Sequence, residues 1–114
     1  MSDCIFCSIV AHEIPSNIVR EDDLVVAIRD NAPQAPVHVL VMPRAHIASA
    51  AELGDDHSAL WNRMLAVAQE IAQSGDIAAD GYRLVVNVGS KGGQTVDHLH
   101  MHVLGGRQMV WPPG

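Results

Sequence analysis

The spacing of apolar and polar residues predicts five short strands and one main helix along this chain. The five predicted strands are runs rich in aliphatic residues, and they cover Ile18–Glu21, Leu24–Arg29, Val37–Met42, Tyr82–Val88 and His98–Leu104. The first two runs flank Asp22-Asp23 and therefore predict a hairpin. The third run is largely apolar, which indicates that both of its faces are buried.

A helical repeat of apolar residues begins after Asp55-Asp56-His57-Ser58. The apolar stripe consists of residues three or four positions apart, namely Leu60, Trp61, Met64, Leu65, Ala68 and Ile71. Gly75 is the expected end of this helix, and a shorter helix is expected within Cys4–Val10. The order β-β-β-α-β-β predicts an α+β fold, in which the helix packs on one antiparallel sheet.

Three histidines, His98, His100 and His102, alternate with apolar residues in the last predicted strand. Because side chains of a strand alternate between its faces, the imidazoles are expected on one face and the apolar side chains on the other. The imidazole face is expected to meet water, a metal or a ligand, since unsatisfied imidazoles in a dry core are costly. The preceding loop, Gly89–Thr95, can bring backbone N–H groups close to an anion. Together these features favour phosphate chemistry.

The composition narrows the possible classes of function. A length of 114 residues predicts a single domain over residues 1–114. The net charge of -6 argues against a nucleic-acid polymer as partner but leaves a mononucleotide possible. No apolar run is long enough to predict a membrane helix. The first residues, Met1–Cys4, lack the features of a signal peptide, which predicts a cytoplasmic location.

The chain resembles the histidine triad (HIT) family, and most closely its Hint branch of nucleoside phosphoramidases. The resemblance rests on motifs in a fixed order that cover nearly the whole chain: Ile14-Pro15, Glu21–Asp23, Asp30, Pro33–Pro36, Pro43–His46, Gly81–Arg83, Gly92–Gln94, His98–His102, Gly105–Arg107 and Trp111–Gly114. It implies a HIT-like fold, in which a five-stranded antiparallel sheet carries one main helix and one short N-terminal helix.

The resemblance implies that the protein hydrolyses purine nucleoside 5′-phosphoramidates and that His100 is the nucleophile. His100 would attack the α-phosphorus, release the amine and form a nucleotidyl-histidine, which water would convert to the nucleoside monophosphate. His98 and His102 would flank it, with His102 bonded to the phosphate, and Thr95 would complete the catalytic set. The resemblance also implies that this reaction requires no metal.

The resemblance also implies a set of nucleotide contacts. Asp30 would accept the ribose hydroxyls, although an aspartate here could simply cap a turn. The phosphate would meet His100 and His102 together with polar groups of Asn87, Gly93, Gln94 and Thr95. The base pocket would be lined by apolar residues that could equally be ordinary core, namely Ile5, Phe6, Ile9 and Ile28. Asn31 stands at the edge of this pocket, where close relatives often carry an apolar residue.

Cys4-x-x-Cys7 supplies two of the four ligands that a structural zinc ion takes. His46 and His98 are the candidates for the other two, and the alternative is a pair of ordinary thiols. Such a zinc would be structural, because four protein ligands leave no open position for water or substrate. The remaining histidine of an apolar strand, His38, is expected to be a hydrogen-bonded structural residue.

A symmetric homodimer is expected, because a small sheet leaves exposed edges that must be covered. The stiff, apolar segment Trp111–Gly114 has no further chain to bury it, and the resemblance implies that it approaches the partner's active site. Two other functions stay open. One is hydrolysis of dinucleoside polyphosphates by the same nucleophile, and the other is a non-catalytic module that binds nucleotide or zinc.

Overall fold

The computed structural model describes residues 3–114. The expectation that the first residues lack the features of a signal peptide concerns Met1-Ser2 in part, and these two residues lie outside the described range. The helices are α1, Ile5–Val10, and α2, Ser58–Ser74. The strands are β1, Ile18–Glu21; β2, Val25–Arg29; β3, Val37–Pro43; β4, Tyr82–Val85; and β5, Met101–Gly105. They form one antiparallel sheet in the order β1-β2-β3-β5-β4. The predicted α+β architecture is confirmed.

The predicted hairpin is formed by β1 and β2, and its turn is fixed by Asp22. One carboxylate oxygen of Asp22 accepts the backbone N–H groups of Leu24 and Val25, both at 2.8 Å. This pattern is a common way for aspartate to stabilise a turn. Leu24 belongs to that turn and is exposed, so the second strand begins one residue later than predicted.

The last strand is shorter than predicted, because β5 begins at Met101 and leaves His98 and His100 outside the ladder. Its partner β3 ends at Pro43, and a proline has no N–H with which to extend a sheet. The segment before β5 is held differently: the N–H of Leu99 donates to the carbonyl of Ile47 at 2.7 Å. Similarly, β4 ends at Val85, opposite His102, and does not reach the predicted Val88.

The sheet is buried on both faces. On one face, α2 packs its apolar stripe against alternate residues of the strands, among them Val25, Val39 and Met101. On the opposite face, α1 packs Phe6 and Ile9 against Val26, Ile28 and Leu40. The largely apolar third strand is therefore covered on both sides, as its sequence predicts. The candidate site lies on the α1 face.

The main helix begins and ends close to the predicted positions. A 3-10 turn, Asp55–His57, leads into α2, and Gly75 caps its C-terminus by donating its N–H to the carbonyl of Ile71. A second 3-10 turn covers Ala50–Glu52. Within residues 3–114, no helix has the length and apolar character needed to cross a membrane.

Candidate active site

His100 lies just before β5, and its ring is oriented by a backbone hydrogen bond. Nδ1 of His100 donates to the carbonyl oxygen of His98 at 2.7 Å. A carbonyl oxygen can only accept, so the proton of the neutral ring is on Nδ1 and the lone pair is on Nε2. The ring of Phe6 packs edge-on against it, with centroids 5.1 Å apart. His100 thus presents an available lone pair in a fixed direction, which a nucleophile requires.

His102 receives its orientation from His38 on β3. The backbone N–H of Gln34 donates to Nδ1 of His38 at 3.0 Å, so Nε2 of the His38 ring carries the proton. That nitrogen lies 2.9 Å from Nδ1 of His102 and donates to it. The neutral His102 ring therefore keeps its own proton on Nε2. This proton is available to an anionic ligand.

Burial favours the neutral form of His102. It lowers the pKa of His102 to about 4, and the nearby His100 and His38 rings act in the same direction. Burial also lowers the pKa of His98. The sequence predicts that the imidazole face meets water, a metal or a ligand, and burial excludes bulk water for two of the three histidines. His98 is 0% exposed and His100 is 6% exposed, and backbone carbonyls satisfy their rings in place of water.

Asp30 follows β2 and lies beside His38. Its Oδ1 accepts the N–H of Ala32 at 2.8 Å, which is the turn cap considered from the sequence. Its Oδ2 lies 3.5 Å from Nε2 of His38. Each carboxylate oxygen has two lone pairs, so the turn cap leaves Asp30 able to accept further hydrogen bonds. The structural role and the ribose role are therefore compatible.

A cavity of about 270 Å³ joins these groups to α1. Its polar lining includes four predicted nucleotide contacts, Asp30, Thr95, His100 and His102. Its apolar lining includes the four predicted base-pocket residues, Ile5, Phe6, Ile9 and Ile28, together with Ile14, Leu40 and Val96. Asn31 lines the same cavity. The lining thus combines apolar side chains with a few hydrogen-bonding groups, as in many small-molecule sites.

The loop before the histidines is held by the side chain of Gln94. Its amide nitrogen donates to the carbonyls of Ala48 at 2.7 Å and Val96 at 2.9 Å, and its oxygen accepts the N–H of Gly89 at 3.0 Å. The backbone N–H groups of Gly93 and Gln94 also donate within the loop. In this arrangement these groups hold the shape of the loop, and the phosphate contacts of Gly93 and Gln94 stay a prediction.

Asn87 likewise points into that loop, where its amide nitrogen lies 3.4 Å from the carbonyl of Gly93. Gly93 adopts a φ of +85°, a conformation that favours glycine. Neither residue lines the cavity of His100. Of the four predicted donors, the structure therefore brings only Thr95 to the cavity wall.

Cys4, Cys7, His46 and His98 form a cluster in which one ligand atom from each residue lies within 4.8 Å of the others. Nδ1 of His98 lies 3.4 Å from Sγ of Cys4 and 3.6 Å from Sγ of Cys7, and Nδ1 of His46 lies 3.2 Å from Sγ of Cys7. Nε2 of His98 donates to the carbonyl of Pro43 at 2.8 Å, which leaves the Nδ1 lone pair directed at the thiols. This donor set and this tautomer suit a tetrahedral zinc ion.

A second group of ligand-type atoms, from Asp30, His38 and His102, is equally close together but fits a metal poorly. The N–H of Gln34 occupies the Nδ1 lone pair of His38, so Nε2 holds a proton where a metal would need a lone pair. The structure therefore favours a hydrogen-bonded chain at this position.

His38 was not among the predicted site residues. It was expected to be a hydrogen-bonded structural residue, which the structure confirms, but its contact with His102 was not predicted. The two residues meet because β3 and β5 are neighbours, with Leu40 opposite His102 and His38 opposite Leu104. A histidine in an otherwise apolar strand was the available signal, whereas its partner depends on the register between strands.

Comparisons with known proteins agree with this geometry. The HIT domain family matches residues 11–109. A purine nucleoside phosphoramidase of Escherichia coli is 48% identical over 107 residues, which cover 94% of this chain and 90% of that protein. An uncharacterized HIT-like protein of Synechococcus elongatus is 52% identical over 112 residues, which cover 98% and 97% of the two chains. The crystal structure of a HIT family hydrolase from Legionella pneumophila superposes with a TM-score of 0.97 at 50% identity, covering 98% of this chain and 100% of that chain. This chain belongs to the HIT domain family.

Proposed function

We propose that this protein hydrolyses purine nucleoside 5′-phosphoramidates through a covalent intermediate on His100. The observation that carries the proposal is the free Nε2 lone pair of His100. It lies at the wall of a cavity whose apolar side chains and hydrogen-bonding groups suit the base and the sugar of a nucleoside. The 48% identity to a purine nucleoside phosphoramidase supports the same reaction class. The proposed ligands are the product, a purine nucleoside monophosphate, and the substrates, which are phosphoramidates of that nucleotide.

In the first step, Nε2 of His100 forms a bond to the α-phosphorus while the phosphorus–nitrogen bond to the leaving group breaks. The departing nitrogen takes up a proton from solvent and leaves as an amine, while the Nδ1 proton of His100 stays on the ring. Nε2–H of His102 donates to a phosphate oxygen as negative charge develops there, and the hydroxyl of Thr95 is a second donor. His38 acts as a positioning residue, because it fixes the tautomer that lets His102 donate.

In the second step, water attacks the same phosphorus and breaks its bond to Nε2 of His100. The products are the nucleoside monophosphate and the regenerated imidazole. His98 contributes its carbonyl oxygen, which accepts Nδ1–H of His100 and stabilises the positive charge on that ring during attack. Asp30 binds the ribose hydroxyls, and the apolar wall formed by Ile5, Phe6, Ile9 and Ile28 receives the base.

A kinetic comparison of two substrates tests this function. We expect efficient release of amine from an adenosine 5′-phosphoramidate and much slower cleavage of a diadenosine polyphosphate. His100→Ala should retain affinity for nucleoside monophosphate and lose nearly all turnover. Preference for the polyphosphate would indicate a dinucleoside polyphosphate hydrolase. Binding of nucleotide without cleavage of either compound would indicate a non-catalytic module.

We also propose one structural zinc ion per chain, held by Cys4, Cys7, His46 and His98. Both thiols and the correctly oriented Nδ1 of His98 support this site. When bound, zinc supplies no chemistry to the reaction; it fixes α1 and the segment before β5. Elemental analysis of protein purified without chelator should give about one zinc per chain. Well under one zinc, with unchanged melting after Cys4→Ser and Cys7→Ser, would leave the cysteines as ordinary thiols.

A symmetric homodimer with the open edge of β4 at its interface is proposed as the working assembly. Leu84 and Val88 expose apolar side chains at this edge, and Trp111 is 84% exposed. Pairing across a two-fold axis would cover these surfaces, and Trp111–Gly114 would then approach the partner's site. Sedimentation at micromolar concentration should show a dimer. A monomer, or a deletion of Trp111–Gly114 that leaves substrate preference unchanged, would contradict the proposal.

A cytoplasmic location is proposed on chemical grounds. Cys4 and Cys7 are in the thiol form in the structure, and a reducing compartment keeps zinc-binding cysteines in that form. Fractionation of cells that produce the protein, with fluorescence or antibody detection, tests this expectation. Recovery from an oxidising compartment would contradict it.

A further inference from the structure

We propose that Asn31 reads the sugar edge of the base and makes guanine the preferred purine. The inference rests on the proposed function and concerns the specificity of the same site. It starts from an amide that lines the cavity directly beside Asp30. Among the described residues, the side chain of Asn31 makes no hydrogen bond or ion pair, so its donor and acceptor remain available to a ligand.

The backbone on both sides fixes the position of Asn31. The N–H of Asp30 donates to the carbonyl of His38 at 3.0 Å, and Oδ1 of Asp30 accepts the N–H of Ala32 at 2.8 Å. Asn31 therefore sits inside a closed turn, one residue from the carboxylate that binds the ribose hydroxyls. With the ribose bound by Asp30 as proposed, the neighbouring side chain of Asn31 would meet the part of the base nearest the ribose, which is its sugar edge.

The chemistry of that edge distinguishes guanine from other purines. Guanine carries an acceptor, N3, next to a donor, the 2-amino group, whereas adenine and hypoxanthine offer only N3. An amide presents one donor and one acceptor side by side. Asn31 can therefore form two hydrogen bonds with guanine, through Nδ2 to N3 and through Oδ1 from the 2-amino group. It can form only one with adenine or hypoxanthine.

Ser16 and Thr95 are the other uncharged polar side chains that line the cavity and make no hydrogen bond within residues 3–114, and Thr95 is already proposed as a phosphate donor. A hydroxyl donates and accepts through one oxygen atom, so it cannot place a separate donor and acceptor opposite N3 and the 2-amino group. The rest of the wall that would contact the base is mainly aliphatic and offers shape without hydrogen bonds. Discrimination by the 2-amino group is therefore assigned to Asn31, and Ser16→Ala tests whether the serine oxygen accepts that hydrogen bond instead.

The test compares guanosine and inosine 5′-phosphoramidates of the same amine, because the two bases differ only in the 2-amino group. Wild-type kcat/KM should favour guanosine roughly tenfold, as expected for one additional hydrogen bond to a base edge. Asn31→Leu keeps the side-chain size and should reduce the ratio to about one. Asn62→Leu, the same change on the exposed surface of α2, and Ser16→Ala should both keep the wild-type ratio.

Binding of GMP and IMP to the wild-type protein, measured by calorimetry, keeps the test valid if Asn31→Leu fails to fold. Equal affinities, or equal kcat/KM values for the two wild-type substrates, would overturn the role of Asn31 while leaving the phosphoramidase function intact. Loss of the preference in Ser16→Ala but not in Asn31→Leu would also overturn it. Absence of hydrolysis of both phosphoramidates, with GMP still bound more tightly than IMP, would refute the proposed function and leave the role of Asn31 standing.

Discussion

Gln94→Ala is the variant whose effect on stability follows most directly from the structure. The substitution removes three hydrogen bonds that join Gln94 to Gly89, Ala48 and Val96. Each such bond contributes about 1 kcal/mol net, and water can reach part of this loop, so the free energy of unfolding should fall by about 2–3 kcal/mol. Thr95 follows directly and lines the cavity, so kcat should also fall, by up to about 10²-fold.

Urea denaturation followed by circular dichroism measures the loss of stability, and steady-state kinetics measure the loss of turnover. Gln69→Ala is the matched control, because Gln69 is exposed on α2 and the same truncation there should change stability by less than about 0.5 kcal/mol. If Gln94→Ala unfolded at the same urea concentration as Gln69→Ala, Gln94 would not hold the loop as described. A stable variant with normal kcat would contradict both parts of the reasoning.

Three other outcomes are expected. His38→Phe removes the donor that orients His102 and should lower kcat roughly 10²–10³-fold in steady-state assays, whereas an unchanged kcat would show that the orientation does not depend on His38. Between pH 6.5 and about 4, the unfolded chain binds a proton at His102 that the folded protein does not bind. Urea titrations should therefore show that the free energy of unfolding falls as the pH drops through this range. A constant free energy of unfolding would contradict the low pKa of His102. A methyl group at Gly105 would lie 2.5 Å from Cδ1 of Ile77, so Gly105→Ala should cost about 1–3 kcal/mol in thermal denaturation, and an unchanged melting temperature would show that Ile77 can move aside.

The sequence predicted the order and type of the elements because each carries a clear local pattern. The apolar repeat of α2 and its end at Gly75 agree with the structure. The predicted start of β5 at His98 was wrong. A strand ends where its neighbour stops pairing with it, and the neighbouring strand β3 ends at Pro43. The alternation of buried apolar residues nevertheless continues through Leu99, which is why the pattern looked like one long strand.

Within the site, the apolar pocket and the histidines were predictable from the resemblance, whereas the hydrogen-bond partners were not. The contact of His38 with His102 requires the register of β3 against β5. The role of Gln94 requires the position of the carbonyl of Ala48, 46 residues away in the chain. Both depend on long-range geometry that local residue patterns do not contain.

The most direct test of His100 as the nucleophile is capture of the intermediate. Protein mixed with a guanosine 5′-phosphoramidate, quenched within milliseconds and digested, should contain a guanylylated peptide with the modification on His100 in its mass spectrum. His100→Ala should give no such peptide. An adduct located on His98 or His102, or turnover by His100→Ala at the wild-type rate, would contradict the assignment.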